Sequence, residues 1–307
     1  MKTRHRNRWT LVLFTVLCMG TMSATPLVSS ELAQTDERFE KLSVDQKKLA
    51  QRMLQFMSDM DKKYFERVNK LNNSSESETK EFTSDDSDYV IKVTRGAVVE
   101  KMGQMIAAGK KATPNSRIPG NLVWGRFYSL DAHPKSPLVG MLHATIVLQF
   151  YDSGMSFAGG WVDIMPGTRI EADLDELKQS VDKVFAKYNL NPDYNRKLIC
   201  KGDPTEIDRK WRRKPSCGGA SFYGRPPFPS TEKNFDLVSE TFVNFVDAYM
   251  GLVEKHKDSP YTEKDVKAQD TMRREWLQDQ LFSDPHASKI VPFEVWSLAN
   301  VPPVIKF

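Results

Sequence analysis

An α+β fold built on an antiparallel sheet is what three features of the sequence predict. Residues 122–130, 139–151 and 157–164 are rich in aromatic and branched side chains and follow one another through short turns. Strands joined that way pair antiparallel. Amphipathic helices bracket them at 37–72, 173–188 and 235–255. The whole order reads helix, strands, helix, strand, helices, strand, without the βαβ alternation of a parallel sheet.

In chain order, Lys2, Arg4, Arg6 and Arg8 precede an apolar run at 9–19, and small polar residues follow at 21–30. A basic start, a short apolar run and small residues make residues 1–24 a secretory signal peptide. The run is short for a membrane span and charged on one side only, although an uncleaved anchor is the competing reading. Cys18 follows Val16-Leu17, a poor lipoprotein box, so no lipid anchor is expected. No later run is long enough to span a bilayer, so the mature chain is expected in a periplasm or outside the cell, without stable membrane insertion. The 44 Lys and Arg exceed the 40 Asp and Glu only through the four basic residues of the signal. A mature chain so balanced gives no electrostatic case for nucleic acid as partner. Cys200 and Cys217 remain after the signal, an even count for an oxidising compartment. A bridge between them and two buried thiols are both open.

Residues 37–72 carry Phe39, Leu42, Leu49, Met53, Phe56, Met57, Met60, Tyr64, Val68 and Leu71 at threes and fours, which predicts one long helix. Residues 72–88, rich in Ser, Glu and Asp, read as a loop or disordered connector. A short strand is expected at 89–93 and a mixed segment at 96–107. The basic loop at 109–120, with Lys110, Lys111 and Arg117, is either plainly solvated or the guard of an anionic ligand. Asp152-Ser153-Gly154 is a good hairpin turn. Acidic residues open the helix at 173–188, which presents Leu174, Leu177, Val181, Val184, Phe185 and Tyr188 on one face. A charged stretch at 205–214 leads into Gly218-Gly219 and an aromatic strand. Helices are expected at 235–255 and 265–281, and a terminal strand at 290–298. The domain division is 1–24, signal; 25–88, helix and connector; 89–307, the α+β domain on which the helix packs.

The stretch Phe157-Ala158-Gly159-Gly160-Trp161-Val162-Asp163-Ile164-Met165-Pro166 carries the strongest chemical suggestion. Two glycines let a backbone approach something flat, Trp161 adds an apolar face, and Asp163 is a lone acid among apolar neighbours. That suits a pocket for a flat ligand with a polar centre. A β-bulge with a turn aspartate fits the same residues. His133 and His143 each stand alone in a strand, where a hydrogen-bonded core histidine competes with a functional one. His286 reads as a turn residue. No phosphate loop, metal-spaced His/Cys set, nucleophile elbow or internal repeat is present.

Five blocks in order give the chain a resemblance to oxygen-dependent coproporphyrinogen III oxidases. Gly96-Ala97-Val98-Val99-Glu100-Lys101 resembles the family's glycine-aliphatic-Phe-Glu-Lys segment. Ser129, then His133-Pro134-Lys135-Ser136-Pro137, then His143 resemble its Ser, His-Pro-Arg-Asn-Pro and His run. Residues Gly159-Gly160-Trp161-Val162-Asp163-Ile164-Met165-Pro166 resemble its Gly-Gly-Gly-x-Asp-Leu-Thr-Pro motif. Gly218-Gly219 and Phe222 stand where it has Gly-Gly-Ile-Phe-Phe. Ala248-Tyr249, Val253-Glu254 and Lys257-Asp258-Ser259-Pro260-Tyr261 resemble its Ala-Tyr, Val-Glu and Lys-Asp-Thr-Pro-Tyr.

The resemblance implies a large antiparallel sheet flanked by helices on both faces, a homodimer, and a cleft for a tetrapyrrole over the sheet. It implies oxidative decarboxylation of two propionates to vinyl groups with O₂, without an obligatory metal or organic cofactor. Asp163 matches the catalytic aspartate, an anionic acceptor for inward pyrrole N–H groups. His143 matches the pocket histidine. Ser129, Gly159, Gly160, Trp161, Gly218 and Gly219 fall in substrate-binding segments, and Arg212, Arg213 and Arg225 offer guanidinium forks for propionates. Thr145 and Val147 stand where the family has Asn and the substrate-holding Arg. Only Arg273-Arg274-Glu275-Trp276 remains of its C-terminal arginine motifs, and export is unusual for haem synthesis. Three functions follow: an oxidase of this type, a secreted porphyrin- or haem-binding protein that has lost the chemistry, or the fold turned to another ligand. In the second, His143 is the axial-ligand candidate.

Overall fold

A computed structural model describes residues 36–112, 118–201, 212–224, 226–282 and 290–307. The expected signal, Lys210, Trp211, Arg225 and His286 lie outside these residues.

Seven strands form one antiparallel sheet in chain order, a meander running from β1 to β7. They are β1 (Ser77–Thr83), β2 (Ser87–Thr94), β3 (Val99–Gly109), β4 (Leu122–Pro134), β5 (Met141–Tyr151), β6 (Ser156–Met165) and β7 (Ala220–Ser221). The described helices are α1 (Glu37–Glu40), α2 (Val44–Asn72), α3 (Glu171–Lys187), α4 (Asp193–Lys201), α5 (Glu232–His256), α6 (Glu263–Phe282) and α7 (Phe293–Ala299). The α+β architecture with helices on both faces is as the sequence indicates.

Alternation along the strands sorts the two faces. Tyr128, Leu130, Ala144, Ile146, Ala158 and Val162 turn to one side and form the main core with α2, α3 and α5. Met53, Met57 and Tyr64 of α2 lie in it, so its methionine stripe is packing. The opposite face is covered in pieces. Val295 and Ala299 of α7 pack on Tyr89, Ile91, Met105 and Ala107. Met272 and Trp276 of α6 pack on Met141 and Met165.

Four expectations are corrected. The helix at 37–72 is interrupted, because Ser43 makes a capping box with Gln46 and restarts the chain as α2. The supposed connector holds β1, a hydrophilic edge strand paired with β2 throughout. Its polarity follows from exposure, not from disorder. The mixed segment is β3, almost wholly buried. The terminal strand is helix α7, whose spacing of Val295, Trp296 and Ala299 buries one side. Lys110 and Lys111 pair with Asp88 and Asp86, acids of the β1–β2 hairpin. Cys200 and Cys217 are joined in a disulfide, with Cα atoms 5.5 Å apart.

Candidate functional site

On the face away from the main core, the registers of β3 to β6 line side chains up in rows. One row runs Gly103, Asp131, His143, Asp163. The next runs Met105, Ser129, Thr145, Trp161, Ser221. A third runs Ala107, Phe127, Val147, Gly159. Adjacent side chains within a row sit about 4.5–5.5 Å apart at Cβ, so each row is a contiguous surface.

Asp163 is fully buried at the β7 side of its row. One carboxylate oxygen accepts from the Ser216 hydroxyl and the other from the Cys217 N–H at 3.0 Å. Burial pushes its carboxyl up to about 6, against the pull of Ser216 and the N–H groups of Cys217, Ile164 and Gly219. The segment supplying these donors runs close along β6, with Ser216 N–H donating to the Ile164 carbonyl. It passes so near that a Cβ on Gly219 would stand 1.6 Å from the Val162 oxygen. Cys217 takes a left-handed φ of 64°, held by its disulfide and by Asp163. The acid is thus a loop anchor on a strand rather than a carboxylate open to a cleft.

Asp131, also fully buried, accepts from Nδ1 of His143 at 2.8 Å and from the side-chain amide of Asn300. Nδ1 therefore carries a proton, and Nε2 is the ring nitrogen turned away from Asp131. Nε2 makes no hydrogen bond among the described residues, and the side chain is 24% exposed, against 0% for Asp131. The Asn300 carbonyl accepts from Nε2 of His133 at 2.9 Å. Burial, with Lys101 and Arg273 nearby, holds His133 well below its usual range, so it is neutral. Lys101 donates to the Ser297 and Val301 carbonyls and is pushed down to about 7 by desolvation. The C-terminal segment is thereby fastened across Gly103, where a Cβ would stand 2.0 Å from the Ala299 oxygen.

In the adjoining row, Ser129 Oγ and Trp161 Nε1 are buried atoms without a partner among the described residues. Trp124 Nε1, Tyr128 OH and Trp276 Nε1 are in the same state elsewhere in the core, and such atoms are met by a ligand or by ordered water. Between Ser129 and Trp161, Thr145 Oγ1 meets the Tyr223 hydroxyl at 3.0 Å. Phe157 and Tyr223 place their rings 6.1 Å apart.

The glycine pair does not thin one surface, because its members face opposite sides. Gly159 lies under the ring of Phe157, and Gly160 lets Val238 of α5 approach. Gly218 and Gly219 belong to the loop that grips Asp163. Arg212 and Arg213 are fastened to α6, where their N–H groups donate to the buried Asp279 at 2.8–3.1 Å. Arg225 falls outside the described residues. His143, Ser129 and Trp161 come together on the face away from the main core, with Ser129 fully buried, whereas Arg212 and Arg213 are not seen to join them. A cavity of about 10 Å³ beside Leu138, Ile164, Pro166 and Leu174 has room for one water and no more. Asp131, Asn300, Ser216 and Tyr223 escaped the sequence reading. Asp131 carried a signal, since it shares strand parity with Ser129 and His133.

Fold and site together define an α+β sheet protein that places an oriented histidine beside two buried donors without a partner among the described residues, on one sheet face. The family model for coproporphyrinogen III oxidase matches residues 42–286, and the chain belongs to that family. Membership supports a coproporphyrinogen oxidase-like function and a tetrapyrrole as the small molecule handled. No helix among the described residues is long and apolar enough to cross a membrane.

Proposed function

We propose that the protein is an oxygen-dependent oxidoreductase of coproporphyrinogen oxidase type, taking its tetrapyrrole on the sheet face away from the main core. The observation that supports this most is the grouping of His143 with the unpartnered Ser129 and Trp161. One acceptor and two donors, bordered by the aromatic surface of Trp161, suit a planar ligand with N–H groups at its centre and polar substituents at its rim.

In the reaction each propionate loses a hydride equivalent from its β-carbon and the carboxyl group as CO₂, leaving a vinyl group. O₂ takes the hydride's two electrons and, with its proton and one from solvent, becomes H₂O₂. An acceptor at a pyrrole N–H raises electron density on that ring and favours its oxidation. No organic cofactor enters this reading. The segment 1–24 and the disulfide support export to a periplasm or beyond, and the family resemblance supports a homodimer.

The second reading, an exported porphyrin- or haem-binding protein without turnover, is favoured by Asp163 and Val147. The acid is engaged by its own loop, and Val147 stands where the family resemblance puts the substrate's arginine. Coproporphyrinogen prepared anaerobically, then given O₂, separates the two. Vinyl product with equimolar CO₂ and H₂O₂ establishes the oxidase. A Soret shift with coproporphyrin but no product leaves binding alone.

A further inference from the structure

We infer that the seam between α2 and the sheet is a binding site for one internal water molecule, bonded at once to Asp61, Gln104 and Tyr128. The site lies on the main-core side of the sheet, behind the proposed tetrapyrrole face, and is independent of that reading.

Met102, Ile106, Tyr128 and Leu130 join α2 in the main core, so residues of even number on β3 and β4 turn to that side. Lys92 and Gln104 interrupt this apolar set, directly opposite each other on β2 and β3. Tyr128, paired with Ile106, is the diagonal neighbour of Gln104, a separation that long and aromatic side chains bridge. From α2, Asp61 reaches Lys92, with Oδ2 2.9 Å from Nζ. Three buried atoms at this seam have no partner among the described residues: Asp61 Oδ1, Gln104 Nε2 and the Tyr128 hydroxyl. Gln104 is 2% exposed and Tyr128 0%. Burial, with the charge of Asp61 close by, holds the Tyr128 phenol well above its ordinary range, so the hydroxyl keeps its proton.

A carboxylate oxygen, an amide N–H and a hydroxyl are complementary to one molecule that both donates and accepts. Asp61 excludes an anion, while Lys92 and the amide N–H exclude a cation. Phe56 and Phe242 stand edge-on to the Tyr128 ring at 6.3 and 5.8 Å, and Phe65 lies 4.2 Å from Lys92 Nζ. Such crowding suits a water and not a larger ligand. The water gives one hydrogen to Asp61 Oδ1 and accepts from Gln104 Nε2 and Tyr128, the usual three bonds of a buried water. It thereby ties α2 to β3 and β4 through groups that are otherwise costly in an apolar seam. Its way out is past Asp61 and Lys92, 25% and 13% exposed, so exchange waits on that ion pair parting.

Two measurements test the site. Magnetic relaxation dispersion of water ¹⁷O counts the waters that stay bound longer than the protein tumbles. The wild type should show such a component, and the double variant Gln104→Leu, Tyr128→Phe should show one molecule fewer. A wild type without any long-lived water overturns the inference, as does a folded double variant whose count is undiminished. Urea unfolding of Tyr128→Phe alone supplies an independent sign. If the hydroxyl is bonded to water, the substitution loses that bond and the urea midpoint falls. If the hydroxyl is buried without any partner, it is a burden to the wild type, and its removal raises the midpoint or leaves it in place. Either of those last two results overturns the inference, whether or not the double variant folds.

Discussion

Replacing Asp163 by Asn is the most informative single perturbation, because its effect on stability must change with pH. The carboxyl titrates near 3.8 in the unfolded chain and is raised to about 6 by burial in the native state. A raised acid pKa means that the native state holds its proton more tightly than the unfolded one. Protonated Asp163 therefore stabilises the fold fully below pH 3.8, and this is lost as pH rises through 6. At 1.36 kcal/mol per unit, the full swing is about 3 kcal/mol. About 2 kcal/mol of it falls between roughly pH 4.5 and pH 7.5, a window open to urea titration. Asn cannot titrate, so the stability of wild type minus that of Asp163→Asn should fall by about 2 kcal/mol across that window. The double difference matters because other acids pull the opposite way. Asp36 and Asp182, paired with arginines, are lowered and lose stabilising power in acid, but equally in both proteins. A constant difference would refute the argument: the carboxylate would then be solvated, the 216–219 loop would not grip it, and Asp163 would be free for a ligand.

Three further outcomes follow from the same contacts. Ser216→Ala leaves one oxygen of Asp163 without its hydroxyl donor and should cost about 1–3 kcal/mol by urea midpoint. Cys200→Ser should lower unfolding free energy by about 3 kcal/mol on the chain-entropy model, and the wild type should take up alkylating mass at two cysteines only after reduction. Gly103→Ala drives a methyl group into the Ala299 carbonyl. It should destabilise by about 1–3 kcal/mol and lift the C-terminal segment, seen as faster amide exchange at Asn300.

The sheet was legible because buried strands repeat every two residues, and β4, β5 and β6 keep that pattern across aromatic and branched residues. The strand β1 was not, because an exposed edge strand has no apolar face to betray it; only its pairing with β2 makes it a strand. At seven residues α7 is too short for period alone to separate helix from strand. Of the site, His143, Ser129 and Trp161 were readable from family motifs. The partner of His143 was within reach, since Asp131 is an acid between Leu130 and Ala132 on a strand. Asn300 and Ser216 were not, because they lie 169 and 53 residues from the acids they serve, in segments whose local pattern says nothing of either. The glycine pair misled for a physical reason. Consecutive strand residues face opposite ways, so Gly159 and Gly160 cannot clear the same surface.

The meander explains why His143 alone of its polar row reaches the surface. In-order antiparallel pairing fixes which residues share a row, and the row of Asp131, His143 and Asp163 sets three polar groups side by side across the sheet. Buried acids are expensive unless each finds donors, and the fold brings donors from both directions. The C-terminal segment closes the Gly103 end and satisfies Asp131 through Asn300. The disulfide-linked loop closes the other end and satisfies Asp163 through Ser216 and Cys217. Covering both ends leaves His143 as the row's single outlet, with its tautomer already chosen from below. A mutation at Asn300, far from any ligand, then acts on the site through the orientation of that imidazole.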